Sequence, residues 1–169
     1  MTHSIKKCSL VICITLLSSS LFAQNAVLKN DKEIVNYVIQ NNKNEVWTPT
    51  DNPVVKDLGS NAIYAIDVNN IKIYPGSSLT INGLVLRMKA NSTINVYTMP
   101  DLSSKGQLIL SNSKLTNQEN GILWGGVHVF SESSALKDSV SATREQVVLV
   151  TNSSIQNAKK ALSVTRYRD

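Results

Sequence analysis

Residues 71–97 read IKIYPGSSLTINGLVLRMKANSTINVY and hold two strand patterns in one short stretch. One is an apolar, polar, apolar, aromatic tetrad, Ile71-Lys-Ile73-Tyr74, which returns as Ile94-Asn-Val96-Tyr97. The other is Leu79-x-Ile81-x-Gly83-x-x-Leu86, an alternating run that ends at a turn-forming residue and resumes after it. Alternation with a period of two puts successive side chains on opposite faces, so each run is a half-buried strand.

Both patterns continue outward. The tetrad recurs as Val127-His-Val129-Phe130 and Leu162-Ser-Val164-Thr165, and the second pattern as Leu108-x-Leu110-x-Asn112-x-x-Leu115 and Val148-x-Val150-x-Asn152-x-x-Ile155. The two sets interleave strictly along the chain, with intervals of 23, 33 and 35 residues in the first and 29 and 40 in the second. A hairpin sandwich needs a tight two-residue turn between each pair of strands, and the repeats hold only two Asn-Gly pairs, Asn82-Gly83 and Asn120-Gly121. A chain that coils back to the same side on every turn accounts for the interleaving, because each turn of about 22 residues or more lays a strand parallel to the previous one, about 4.8 Å away. The expected fold is all-β: a right-handed parallel β-helix of three to four coils, left open at its C-terminal end.

That register makes its own predictions. The inward columns are Ile71, Ile94, Val127, Leu162 and Ile73, Val96, Val129, Val164, all aliphatic. The corner column Gly83, Asn112, Asn152 calls for residues that tolerate the left-handed region and, for Asn, can hydrogen-bond along the stack. The long interval from Ser131 to Gln146 is polar and reads as a loop thrown out from the coil.

Ahead of the repeats the texture differs. MTHSIKKCSLVICITLLSSSLFAQN opens with Lys6 and Lys7, runs apolar from Cys8 to Phe22 and reaches the small residue Ala23, the layout of a secretory signal peptide over residues 1–23. The apolar run is shorter than the about 20 residues that a membrane span requires. Cys8 and Cys13 both leave with it, so the mature chain has no disulfide and no thiolate metal site. Residues 24–60 form a polar lead or cap segment, and 61–169 the β-helix. Within the lead, Ile34, Val35, Val38 and Ile39 fit helical spacing with Asn30 or Asp31 as cap, while their β-branched content fits a strand equally; helix and strand both remain open over residues 31–42.

Composition narrows the function classes. The 169 residues make one domain, and 42% hydrophobic with 17% charged residues is a foldable chain with a weakly charged surface. The formal charge of +5 falls to about +3 without Lys6 and Lys7, too little for a nucleic-acid partner. Lys159, Lys160, Arg166 and Arg168 read as a solvated tail.

The strings IYPGSSLTINGLVLRM, INVY, GQLILSNSKLT, LWGGVHVF and VVLVTNSSIQNAKKALSV resemble the β-helix region of secreted proteins of Bacteroidetes type, in the pectate-lyase-like superfamily, over about residues 63–165. Pro75-Gly76, Trp124-Gly125-Gly126 and the Asn152–Ala158 run carry the likeness. It implies a secreted or cell-surface protein, often cargo of type IX secretion, with a scaffold or adhesin-like role. No Gly-rich β-sandwich follows Thr165, which implies a fragment of a longer chain.

Chemistry is sparse in this register. Stacked coils bring outward residues of neighbouring turns together, and the outward column of the first set is Lys72, Asn95, His128, Ser163. The outward positions of the second set are Thr80 and Asn82, Ile109 and Ser111, Leu149 and Thr151. Glycoside hydrolysis asks for two carboxyl groups about 5 to 9.5 Å apart, and a calcium-assisted lyase for clustered carboxylate oxygens; the columns offer neither. Asp67, Asp101, Glu119, Glu132, Asp138 and Glu145 fall in turns or loops, no two at equivalent coil positions. No metal-ligand spacing, phosphate loop or nucleophile elbow is present, and no cofactor is implied. The candidates for binding are a column of rings, Tyr74, Tyr97 and Phe130, with Trp124 and His128 beside it, and the partner is an extracellular glycan or a surface protein. Three readings compete: a noncatalytic scaffold or adhesin-like module, a fragment of a polysaccharide lyase or glycoside hydrolase, and a glycan-binding module that uses the rings.

Overall fold

The computed structural model describes residues 33–34, 36–99, 104–131 and 147–166. Fourteen strands among them are β1 (Glu33–Ile34), β2 (Tyr37–Ile39), β3 (Asn44–Trp47), β4 (Ala65–Val68), β5 (Ile71–Ile73), β6 (Ser78–Asn82), β7 (Val85–Met88), β8 (Thr93–Thr98), β9 (Gln107–Ser111), β10 (Lys114–Asn117), β11 (Trp124–Ser131), β12 (Val148–Thr151), β13 (Ser154–Ile155) and β14 (Ala158–Arg166). Every third strand returns to the same sheet. The first sheet runs β1-β4-β7-β10-β13, the second β2-β5-β8-β11-β14 and the third β3-β6-β9-β12, and every pairing between these strands is parallel. This is a parallel β-helix with three strands per coil, and the described residues trace four coils and two strands of a fifth.

The expected register is the observed one. Ile71 pairs with Ile94, Ile94 with Val127 and Val127 with Leu162, with Ile73, Val96, Val129 and Val164 in the companion column. The second sequence pattern turns out to span a corner. Its first half, Leu79, Leu108 and Val148, is a column of the third sheet, and its last residue, Leu86, Leu115 or Ile155, belongs to the first sheet. Between them Gly83, Asn112 and Asn152 have φ of 71°, 48° and 47°, the left-handed turn that separates two strands of one coil. Ser113, just past that corner, accepts from the Leu84 amide at 3.2 Å and donates to the Ile81 carbonyl, so the corners are tied to the coil below.

The interior is a stack of mainly aliphatic side chains from Ile34 to Val129, joined by Trp47, Met88 and Trp124 and by Val54 of the segment after the first coil. In the last described coil the inward positions face water: Leu162 is 51% and Val164 61% exposed, whereas Ile94 two coils earlier is 0%.

Two departures from the sequence reading concern residues 24–60. The stretch that fitted either helix or strand forms β1 and β2, with Asn36 between them at φ 51°, a left-handed corner that interrupts any helical run; the β-branched residues are better packed on a pleated sheet. The segment expected as a lead or cap thus contains the first coil, β1 to β3. It also contains a helix absent from the sequence reading, α1 (Pro53–Leu58), with Asn52 accepting from the amides of Val54 and Val55, Pro53 at the first turn and Gly59 at φ 61° as the exit. Residues 1–23 and the polar loop after Ser131 lie outside the described residues.

Candidate functional site

The outer face of the second sheet carries the ring column. Tyr74, Tyr97 and Phe130 project outward at the ends of their strands, with centroids 5.0 Å and 5.1 Å apart and planes within 12° and 17° of parallel. Rungs of a parallel sheet are about 4.8 Å apart, so identical rotamers place ring over ring without adjustment. The rings therefore spend their faces on one another. A sugar that stacks needs an open face, and within this column only the two terminal ones face outward from the stack.

His128 sits in the neighbouring column. Its ring is 6.2 Å from that of Phe130 and nearly parallel to it, and Nδ1 lies 3.0 Å from the Ser163 hydroxyl on the next rung. Ser163, the next residue in the outward column expected from the sequence, is brought there by the Val127↔Leu162 register. A hydroxyl and an imidazole at this distance are two parts of a nucleophilic device. The column-mates below are Asn95 and Lys72, so the described residues supply no carboxylate to orient the ring, and Nε2 is buried without a hydrogen-bond partner.

Trp124 leaves the binding surface altogether. It is fully buried in the core, and its indole N–H donates to the Gln156 carbonyl at 2.8 Å. The following glycines explain why the strand can enter there. A Cβ on Gly125 would lie 2.7 Å from the Ser92 carbonyl oxygen, and one on Gly126, at φ 116°, only 1.7 Å from that of Lys160, where the β11–β14 register shifts. The Trp-Gly-Gly signature thus seats an indole inside the coil.

The first sheet corrects the carboxylate reading. Asp67 is in β4 rather than in a loop, and Glu33 of β1, an acid outside the six weighed from the sequence, is directly beneath it at the equivalent coil position. Glu33 was missed because β1 could not be told from a helix. The next residue up the column is Arg87, whose Nε is 2.6 Å from Asp67 Oδ1, an ion pair with poor hydrogen-bond alignment, while Glu33 meets Lys89 at 3.4 Å. Both cations come from the third coil, Arg87 one coil above Asp67 and Lys89 two coils above Glu33. A glycosidase pair must keep one carboxyl to protonate and one to attack or activate water, and these two are committed to cations. Glu119 lies exposed in a turn, Asp101, Glu132, Asp138 and Glu145 lie outside the described residues, and among the described residues no group of three His, Cys, Asp or Glu side chains is placed to hold a metal ion.

A third polar cluster floors the first coil. Glu45 lies under Leu79 in an inward column, and its Oε2 accepts from the Tyr37 hydroxyl at 2.9 Å and from the Trp47 indole at 3.1 Å. Tyr37 and Trp47 meet edge to face at 5.0 Å. Burial, then the hydrogen bond to Glu45 and its charge, push the Tyr37 phenol up to about 12. No family model, curated protein or solved structure matches the chain.

Proposed function

We propose that the chain is a noncatalytic β-helix module of a secreted or cell-surface bacterial protein, a scaffold with an adhesin-like binding role. The observation that carries this reading is the pairing of the strand-borne acids: Glu33 and Asp67 are held by Lys89 and Arg87, and Glu45 by Tyr37 and Trp47, so beyond Lys72, Lys114 and His128 the outer faces of the described strands carry mainly amide, hydroxyl, aliphatic and aromatic side chains suited to contact rather than to bond cleavage. A stack in which each coil is pinned to its neighbours presents such side chains at fixed spacing, the property binding solenoids exploit. The test is incubation of the chain with polygalacturonate and neutral glucans, followed by assay for unsaturated or reducing ends. No release is expected, and release would replace the module with a polysaccharide lyase or hydrolase fragment.

One observation favours a second reading, a glycan-binding module. Tyr74, Tyr97 and Phe130 form a straight apolar ridge three coils long, and aromatic ridges are common contacts for sugars and for proteins. Against it stands the mutual occupation of the ring faces. Glycan-array binding lost on Tyr97→Ala would establish it.

A further inference from the structure

The third sheet differs from the other two in what it shows to water. Its outward columns are Asn44, Ser78 and Gln107; Val46, Thr80, Ile109 and Leu149; and Asn82, Ser111 and Thr151. None of these is ionisable, whereas the first sheet carries Glu33, Asp67, Arg87 and Lys114 outward and the second Lys72 and His128. The middle column is aliphatic but for the Thr80 hydroxyl, and it faces solvent: Val46 is 54% and Leu149 36% exposed. Rows of hydrogen-bonding side chains flank it on both sides; in one, Ser78 donates to Asn44 at 2.8 Å along the stack, and in the other Asn82 accepts from the corner residue Asn112 at 3.5 Å. The face is an apolar stripe between two amide and hydroxyl rows, running along the helix axis.

We infer that this face binds an uncharged, extended polysaccharide chain lying along the axis, its C–H surface over the Val46–Thr80–Ile109–Leu149 stripe and its hydroxyls on the flanking rows. The proposal rests on the reading of the chain as a noncatalytic binding module and names a site distinct from the ring column. Other occupants fit less well. A nucleic acid or acidic polymer needs cations, and this face has none. Peptides join sheets through free edges, where backbone groups are available, and a face between paired strands offers only side chains. A second copy needs about 800 Å² per partner, whereas four strands about 4.8 Å apart and about five residues of about 3.3 Å each present roughly 300 Å². A polymer compensates for so small a footprint by offering the same contact many times.

The experiment is affinity electrophoresis of the chain in native gels containing hydroxyethylcellulose, with polygalacturonate gels as the anionic comparison. Retardation by hydroxyethylcellulose alone is expected, reduced at least tenfold in apparent affinity by Ile109→Lys and separately by the more exposed Val46→Lys, and unchanged by Tyr97→Ala. Circular dichroism of each variant establishes that the coil is intact, and Val46→Lys keeps the test open if Ile109→Lys fails to fold. Absence of retardation, retardation by polygalacturonate only, or loss with Tyr97→Ala while both lysine variants still bind would each overturn the proposal. Release of sugar ends by a chain that still binds through this face would instead sink only the noncatalytic reading.

Discussion

Ile94 and Leu162 occupy one inward column two coils apart, and truncating each to Ala should give very different results. Ile94 is fully buried between Ile71 below and Val127 above, so Ile94→Ala removes its transfer free energy and leaves a cavity that the neighbouring rungs, fixed by their ladder, cannot close. That combination costs about 2–5 kcal/mol. Leu162 is already half in water and opens onto solvent, so Leu162→Ala forfeits part of a transfer term and creates no cavity, about 1 kcal/mol or less. Urea unfolding followed by far-ultraviolet circular dichroism resolves the two: with a slope of about 2 kcal/mol per molar, a loss of about 3 kcal/mol moves the midpoint by roughly 1.5 M, and a loss of about 1 kcal/mol by roughly 0.5 M. Equal shifts, or an Ile94→Ala shift below that of Leu162→Ala, would refute the column and with it the stacking of β5, β8, β11 and β14.

Three more outcomes follow from the geometry. Arg87→Met leaves the buried Asp67 carboxylate without its cation and should cost about 3–5 kcal/mol, most of it recovered when Asp67→Asn is added; a double-mutant cycle with no coupling would show the pair to be ornamental. Gly126→Ala drives a methyl into the Lys160 backbone, whereas Gly121→Ala, also at positive φ, meets nothing within 4 Å, so the first should be less stable by at least about 2 kcal/mol and should expose β14 to protease. The Tyr37 phenol, raised from 10.0 to about 12 in the folded chain, contributes stability that is complete below pH 10 and is lost as the pH climbs from 10 to about 12, because the unfolded chain ionises first. Tyr37→Phe should flatten the thermal stability profile across that window.

How much could be read beforehand depends on which residues carry the signal. The columns from Ile71 to Leu162 were legible because inward positions in a stack must be aliphatic on every coil, and the Gly83, Asn112, Asn152 column because a corner demands the left-handed region. The first coil was not, since Ile34, Val35, Val38 and Ile39 satisfy a period of 3.6 as well as a strand–corner–strand path, and the deciding feature, Asn36 at φ 51°, is a single residue. Asn52-Pro53 and Gly59 did mark α1, but six residues of helix are too short to show amphipathic periodicity. In the candidate site, missing β1 concealed the Glu33–Asp67 column, and Trp124 stayed among the binding candidates because the close approach of the Lys160 backbone to Gly126 beside it involves a residue 34 positions away. The uncharged third face was visible residue by residue, and the coil geometry turned it into a stripe.

Glu45 gives the stack a direction. For one molecule to seat its last described coil on the first described coil of another, β12 would have to settle on β3 and press Val148 onto the Glu45 carboxylate, which among the described residues has Tyr37 and Trp47 to solvate it. Taking an unneutralised acid out of water costs several kcal/mol, more than two or three aliphatic contacts return. A single inward acid therefore penalises any contact that lays an aliphatic rung against the first described coil.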